Sequence, residues 1–81
     1  MDKSKISIYG ALTCSDTMRA RKFLDEGGIP YEWIDIDDDP EGLNYVKQAN
    51  NGVRVTPTIL FEDGSILVEP SNAQLASKLG I

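Results

Sequence analysis

Two hydrophobic rhythms alternate along the chain. Lys5–Tyr9 ("KISIY") carries apolar side chains at alternate positions and lies before Gly10, which predicts a short strand. From Ser15 to Glu26 the period lengthens: Ala20, Phe23 and Leu24 share one helical face, Arg19, Arg21 and Lys22 fall elsewhere, and Gly27–Gly28 supplies a stop. "YEWIDI" (Tyr31–Ile36) is β-branched and aromatic, with Pro30 at its start, where a strand tolerates proline. Asp39–Pro40 opens a second helix, the aspartate capping free N–H groups and the proline filling the first turn; Leu43, Val46 and Ala49 continue it until Asn50–Gly52. Thr58–Phe61 and Ile66–Glu69 flank the turn residues Asp63–Gly64 and read as a hairpin. Ser71 with Gln74 three residues on has the spacing of a capping box, and Leu75, Ala76 and Leu79 give a last helix one apolar side before Gly80.

The order is therefore β-α-β-α-β-β-α, an α/β chain. Strands joined through a helix are parallel, with a right-handed crossover, and a closing hairpin adds antiparallel strands, so the expectation is a four-stranded mixed sheet covered by three helices. The near-continuous apolar run "TILF" suits a central strand buried on both faces. Residues 1–81 are expected to form one domain, without repeats or linkers, and a chain of this length buries only about 60–65% of its unfolded surface, too little for a large enclosed site.

Charge and residue counts narrow the chemistry. Thirteen acidic against eight basic residues give a formal charge of −5, which argues against nucleic acid or an anionic membrane as the main partner, since both are polyanions. No stretch approaches the roughly 18 apolar residues of a membrane span, and "MDKSKISIYG" lacks the apolar core of a secretion signal, so the expected location is the cytoplasm. Cys14 is the only cysteine and there is no histidine. A Cys–His nucleophile pair is thereby excluded, as is a thiolate or imidazole zinc site built from one chain, and a lone free thiol suits a reducing compartment.

Cys14 stands at the predicted start of the first helix, in "ALTCSDTMRARKFL" (Ala11–Leu24). A thiol there faces the unsatisfied N–H groups of the first turn, which stabilise a thiolate and lower its pKa from the free value of about 8.5. Thr17, one turn on, offers a hydroxyl to the sulfur, whereas the charge of Asp16 suits the helix dipole and repels a thiolate. The alternative is an inert, buried cysteine acting as a small apolar residue. Arg19, Arg21, Lys22 and Arg54 are either a solvated face or a means of attracting an anionic thiol. The acidic run Asp35, Asp37, Asp38 and Asp39 fits a capped strand-to-helix loop, with a divalent-cation site as the competing reading.

A cysteine at the tip of the first βα loop in this element order resembles the thioredoxin fold. "YGALTCSDT" (Tyr9–Thr17) is similar to the active-site loop of glutaredoxins, with Cys14 where the nucleophile of their C-x-x-C motif stands. "VTPTI" (Val55–Ile59) resembles their cis-proline segment, and "IPYEWIDIDDDP" (Ile29–Pro40) and "GSILVEPSNAQL" (Gly64–Leu75) resemble the mycoredoxin-like group. The resemblance implies that Cys14 and Thr17 carry the chemistry and that Thr13, Ser15, Val55, Thr56, Pro57, Ser71 and Asn72 hold a low-molecular-mass thiol. It also implies glutathione or mycothiol as co-substrate, no tightly bound cofactor or metal, oxidised proteins as substrates, and a monomer. If Thr56–Pro57 is cis, the Thr56 backbone faces the Cys14 loop and offers a strand-like edge to an extended peptide; the alternative is an ordinary trans proline at a strand start. Ser71 and Asn72 are a helix cap, alone or together with a carboxylate site.

The chain departs from the family pattern in three places. Thr17 replaces the second cysteine of dithiol members, Thr13 stands where an aromatic residue or proline is frequent, and Glu69–Pro70–Ser71–Asn72 replaces the paired glycines and acidic residue ahead of the last helix. The expected activity is therefore monothiol reduction of mixed disulfides, the small thiol itself resolving the intermediate. Two other activities compete on the same residues: an iron–sulfur carrier as a thiol-bridged dimer, and a redox-inactive module binding peptides along Thr56–Pro57.

Overall fold

In the computed structural model, which describes residues 6–81, every predicted element forms: strands β1 (Ser7–Gly10), β2 (Glu32–Asp35), β3 (Thr58–Leu60) and β4 (Ile66–Val68), and helices α1 (Ser15–Glu26), α2 (Pro40–Ala49) and α3 (Asn72–Leu79). The sheet order is β2-β1-β3-β4. β1 runs parallel to β2, with Ser7 opposite Glu32 and Gly10 opposite Asp35, and antiparallel to β3, with Ile8 opposite Ile59; β4 closes the hairpin with Thr58 opposite Val68. The four-stranded mixed sheet and three helices are those expected of the β-α-β-α-β-β-α order.

Side chains alternate across the sheet and so serve two layers. Ile8 and Ile59 lie in one cluster with Ile6, Phe61, Ala20 and Leu24 of α1 and Leu75 of α3. Ile8, Leu24, Ile59 and Leu75 are fully buried, each contributing about 1.5–3 kcal/mol relative to exposure. On the other face Tyr9 stacks on Tyr45 of α2, ring centroids 4.6 Å apart. Gly42 lets α2 approach β2 closely, since a Cβ there would lie 2.8 Å from Ile34 Cγ2.

All four strands differ from the pattern at an end, β3 stopping before Phe61. β1 continues through Gly10, which pairs with Asp35 instead of ending the strand; Lys5, the predicted first residue, lies outside the described residues. β4 stops before Glu69, whose backbone turns to φ 50° and whose N–H donates to the Pro57 carbonyl at 2.9 Å. β2 omits Tyr31 and Ile36. The acidic run is a set of loop caps: Asp39 Oδ1 accepts from the Glu41 amide at 3.1 Å, Asp35 Oδ1 from the Asp37 amide at 3.0 Å, and Asp37 pairs with Arg54 at 2.8 Å. No helix among the described residues is long and apolar enough to cross a membrane.

Candidate active site

Two segments meet at Cys14 and a third is joined to α1 through Arg19; the first is the cysteine's own loop. After β1 the buried Ala11 turns the chain, its carbonyl accepting from the Cys14 amide at 3.1 Å, and the Cys14 carbonyl accepts from Met18 at 3.1 Å to start α1. Cys14 is thereby the N-cap residue, in extended conformation (φ −95°, ψ 117°), with a half-buried side chain. Thr13 and Ser15 on either side are exposed, as are Leu12 and Met18.

The second segment precedes β3. The Thr56–Pro57 peptide is cis, as the family resemblance implied. The Cys14 thiol donates to the Thr56 carbonyl at 3.5 Å, so Thr56 faces the sulfur. A buried polar chain fixes this loop: Thr58 Oγ1 donates to the Val55 carbonyl at 2.9 Å and accepts from Asn50 Nδ2 at 3.2 Å, while Asn50 also donates to the Val46 carbonyl at the end of α2.

The third segment is the head of α3. The capping box predicted at Ser71 is present: Ser71 Oγ accepts from the Gln74 amide at 3.1 Å, and Gln74 Oε1 accepts from the Ser71 amide at 2.8 Å. The buried Pro70, just before it, connects to α1 through Arg19, whose Nη2 donates to the Pro70 carbonyl at 2.8 Å. Of the predicted site residues, Cys14, Thr17 and Thr56 meet at the sulfur. Val55 and Pro57 hold the neighbouring loop, Ser71 and Asn72 begin the third segment, and Thr13 and Ser15 face solvent.

Thr17 is the residue whose environment says most about the thiol. It is fully buried, yet its Oγ1 has no hydrogen-bond partner within formed geometry. Gly10 makes room for it, since a Cβ on Gly10 would lie 2.5 Å from Thr17 Cγ2 and 2.8 Å from Thr17 Oγ1. A buried hydroxyl without an acceptor or donor is costly unless something takes it up. The Cys14 sulfur is the neighbour that can: burial pushes the thiol pKa up, but the hydroxyls of Thr17 and Thr56 and the amides of Thr17 and Asp16 outweigh burial and hold it below the ordinary thiol value. None of the amides closes a cap hydrogen bond to the neutral thiol, which is a weak acceptor; they bear on the thiolate. Cys14 is thus half-buried, with hydroxyl and amide donors around its sulfur.

Sequence reading missed Gly10, Asn50, Thr58 and the Arg19–Pro70 bond as site components. Arg19 carried only the signal of a surface charge, and Gly10 only that of a strand end. Two surface hollows, one beside Phe61, Asp63 and Lys78 and one beside Tyr9, Glu32 and Tyr45, include no residue from Gly10 to Thr17.

Known proteins match this arrangement closely. The glutaredoxin family model matches residues 6–66. Mycoredoxin 1 of Corynebacterium glutamicum is 34% identical over 76 residues, 94% of each chain. Among solved structures, a thioredoxin-like protein superposes with a TM-score of 0.84 at 23% identity, covering 98% of this chain and 99% of its own, which shows the fold. Methanosarcina acetivorans methanoredoxin follows with a TM-score of 0.76 at 27% identity, covering 100% of this chain and 90% of its own. The family model spans most of the chain and a named relative matches nearly all of it in sequence; the chain belongs to the glutaredoxin family.

Proposed function

We propose that this chain is a monothiol glutaredoxin that reduces mixed disulfides between proteins and a low-molecular-mass thiol in the cytoplasm, acting as a monomer with Cys14 as nucleophile. The observation that carries the reading is the Cys14 sulfur set among the first-turn donors of α1 and the Thr56 backbone, with the Thr17 hydroxyl in place of a second thiol.

In the first step the Cys14 thiolate attacks the small-thiol sulfur of the mixed disulfide. The old S–S bond breaks, a new one joins Cys14 to the small thiol, and the substrate protein leaves as a thiolate that takes a proton from solvent. A second small thiol, as thiolate, attacks the small-thiol sulfur on Cys14, releasing a symmetric small-thiol disulfide and restoring Cys14. One free small thiol is oxidised for each protein thiol freed, the other half of the symmetric disulfide having arrived in the mixed disulfide. The Thr17 and Thr56 hydroxyls stabilise Cys14 as attacking thiolate and as leaving group alike.

The small thiol is proposed to lie between Thr13 and Ser15 on one side and the Val55–Thr56–Pro57 segment on the other, extended along the Thr56 backbone. For glutathione, a carboxylate reaches the head of α3, where the capping box occupies the Ser71 hydroxyl and leaves the amides of Asn72 and Ala73 as donors; mycothiol has no carboxylate and would present hydroxyl oxygens there. Glutathione and mycothiol are the candidates, and the likeness to a mycoredoxin supports including the second. No resident cofactor or metal enters these steps.

Intact-mass measurement tests the proposal. Reduced protein incubated with glutathione disulfide or mycothiol disulfide is expected to gain one thiol moiety on Cys14, and Cys14→Ser none. Absence of an adduct with both disulfides overturns the reading.

A further inference from the structure

Arg19 takes no part in the steps above, yet it is held as few surface arginines are. Nη1 donates to Asp16 Oδ1 at 3.0 Å and Nη2 to the Pro70 carbonyl at 2.8 Å, across 51 residues of sequence. Nε is buried without an acceptor. A freely solvated guanidinium would give that N–H to water, so the two arms fix this side chain at the cost of its third donor.

Asp16 explains what the first arm accomplishes. It is the acidic residue in the first turn of α1, next to Ser15 and Thr17, on the turn that carries the sulfur. A bare carboxylate there favours the helix dipole and opposes a thiolate beside it. With Asp16 paired to Arg19, its opposition to a thiolate is largely offset, together with part of its interaction with the dipole. Burial and hydrogen bonds act on Cys14, the Asp16 amide among the donors. The second arm reaches the residue just before the Ser71 cap, and so binds the first turn of α1 to the head of α3.

We propose that Arg19 is a positioning residue of the Cys14 site: one arm cancels the Asp16 charge beside the sulfur, and the other ties the sulfur-bearing turn to the segment that receives the small thiol. The proposal rests on Cys14 being the nucleophile of the function proposed above. It assigns Arg19 a role through Asp16, without contact to substrate.

The test is the pH profile of Cys14 alkylation by iodoacetamide in the wild type, Arg19→Gln, Asp16→Asn and the double variant. Arg19→Gln is expected to raise the midpoint by about half a unit, the size of one like charge near an exposed thiolate. In the Asp16→Asn background the same substitution is expected to leave the midpoint unchanged. An unchanged midpoint in Arg19→Gln, or an equal rise with and without Asp16, overturns the proposal. Should Arg19→Gln fail to fold, Arg19→Lys decides: it keeps the charge beside Asp16, so a wild-type midpoint supports the proposal and a rise of about half a unit overturns it. Alkylation needs no disulfide substrate, so a protein that forms no small-thiol adduct but shows these midpoints would refute the proposed reaction and not the role of Arg19 toward Cys14.

Discussion

At the head of α3 the Ser71 hydroxyl accepts from the Gln74 amide and the Gln74 side chain returns the bond, so the cap satisfies itself. At the head of α1 the same position belongs to Cys14, whose sulfur caps no amide, and one turn on stands a buried threonine hydroxyl with no formed partner. One helix start is built for stability, and the other withholds the same interactions until a thiolate can take them. α2, capped by Asp39, sides with α3. In the proposed reaction, the undercapped helix leaves these donors to the sulfur.

Cys14→Ser should break this contrast most. It replaces a poor cap by a good one, so activity against mixed disulfides is expected to fall below detection while stability rises by up to about 1 kcal/mol. Turnover assays and urea unfolding on one preparation check both halves; equal or lower stability would mean that α1 is not undercapped. Gly10→Ala comes next. The added Cβ meets Thr17 at 2.5 Å in a packed interior, so about 1–3 kcal/mol of stability is expected to go, together with an upward move of the Cys14 alkylation midpoint as the Thr17 hydroxyl is displaced. Ser71→Ala supplies the control: a loss of about 1 kcal/mol from the lost cap, with the Cys14 midpoint unmoved.

The same contrast shows what could be read from sequence. Caps, stops and apolar periods are local, so α1 was predicted with its observed limits, and Asp39, Ser71 and Gln74 act as their spacing said. Cys14 and Thr17 were legible because a helix places them one turn apart. What sequence could not show depends on partners far along the chain. Glu69 leaves the strand because its N–H bonds to the Pro57 carbonyl, and Gly10 is required by Thr17 in a neighbouring element and not by a turn. Arg19 looked like one of a set of solvated charges until Pro70 came within 2.8 Å. Arg21, read the same way, lies over the Trp33 ring at 4.2 Å, and Arg54 is paired with Asp37.

The smallest expected effect gives the contrast a sign in pH. The fold lowers the Cys14 pKa, chiefly through Thr17 acting against burial, so the folded protein gives up the thiol proton at a lower pH than the unfolded chain, whose value is about 8.5. Stability from this source is fully present above the unfolded value and disappears as pH falls through the folded one. Wild-type protein should therefore gain on Cys14→Ser as pH rises through that interval, the serine variant's advantage being greatest on the acid side. Thr17→Val removes the hydroxyl while keeping the shape, so it should raise the alkylation midpoint and flatten the pH-dependent gain. At acid pH, where the thiol is neutral, it should cost little or even stabilise, because it deletes a buried hydroxyl that has no partner in that state. Urea midpoints for the three proteins across the interval check this. If Thr17→Val kept the wild-type slope, the thiolate would be held by the helix amides and the Thr56 hydroxyl, and the undercapped turn would suffice without its buried threonine.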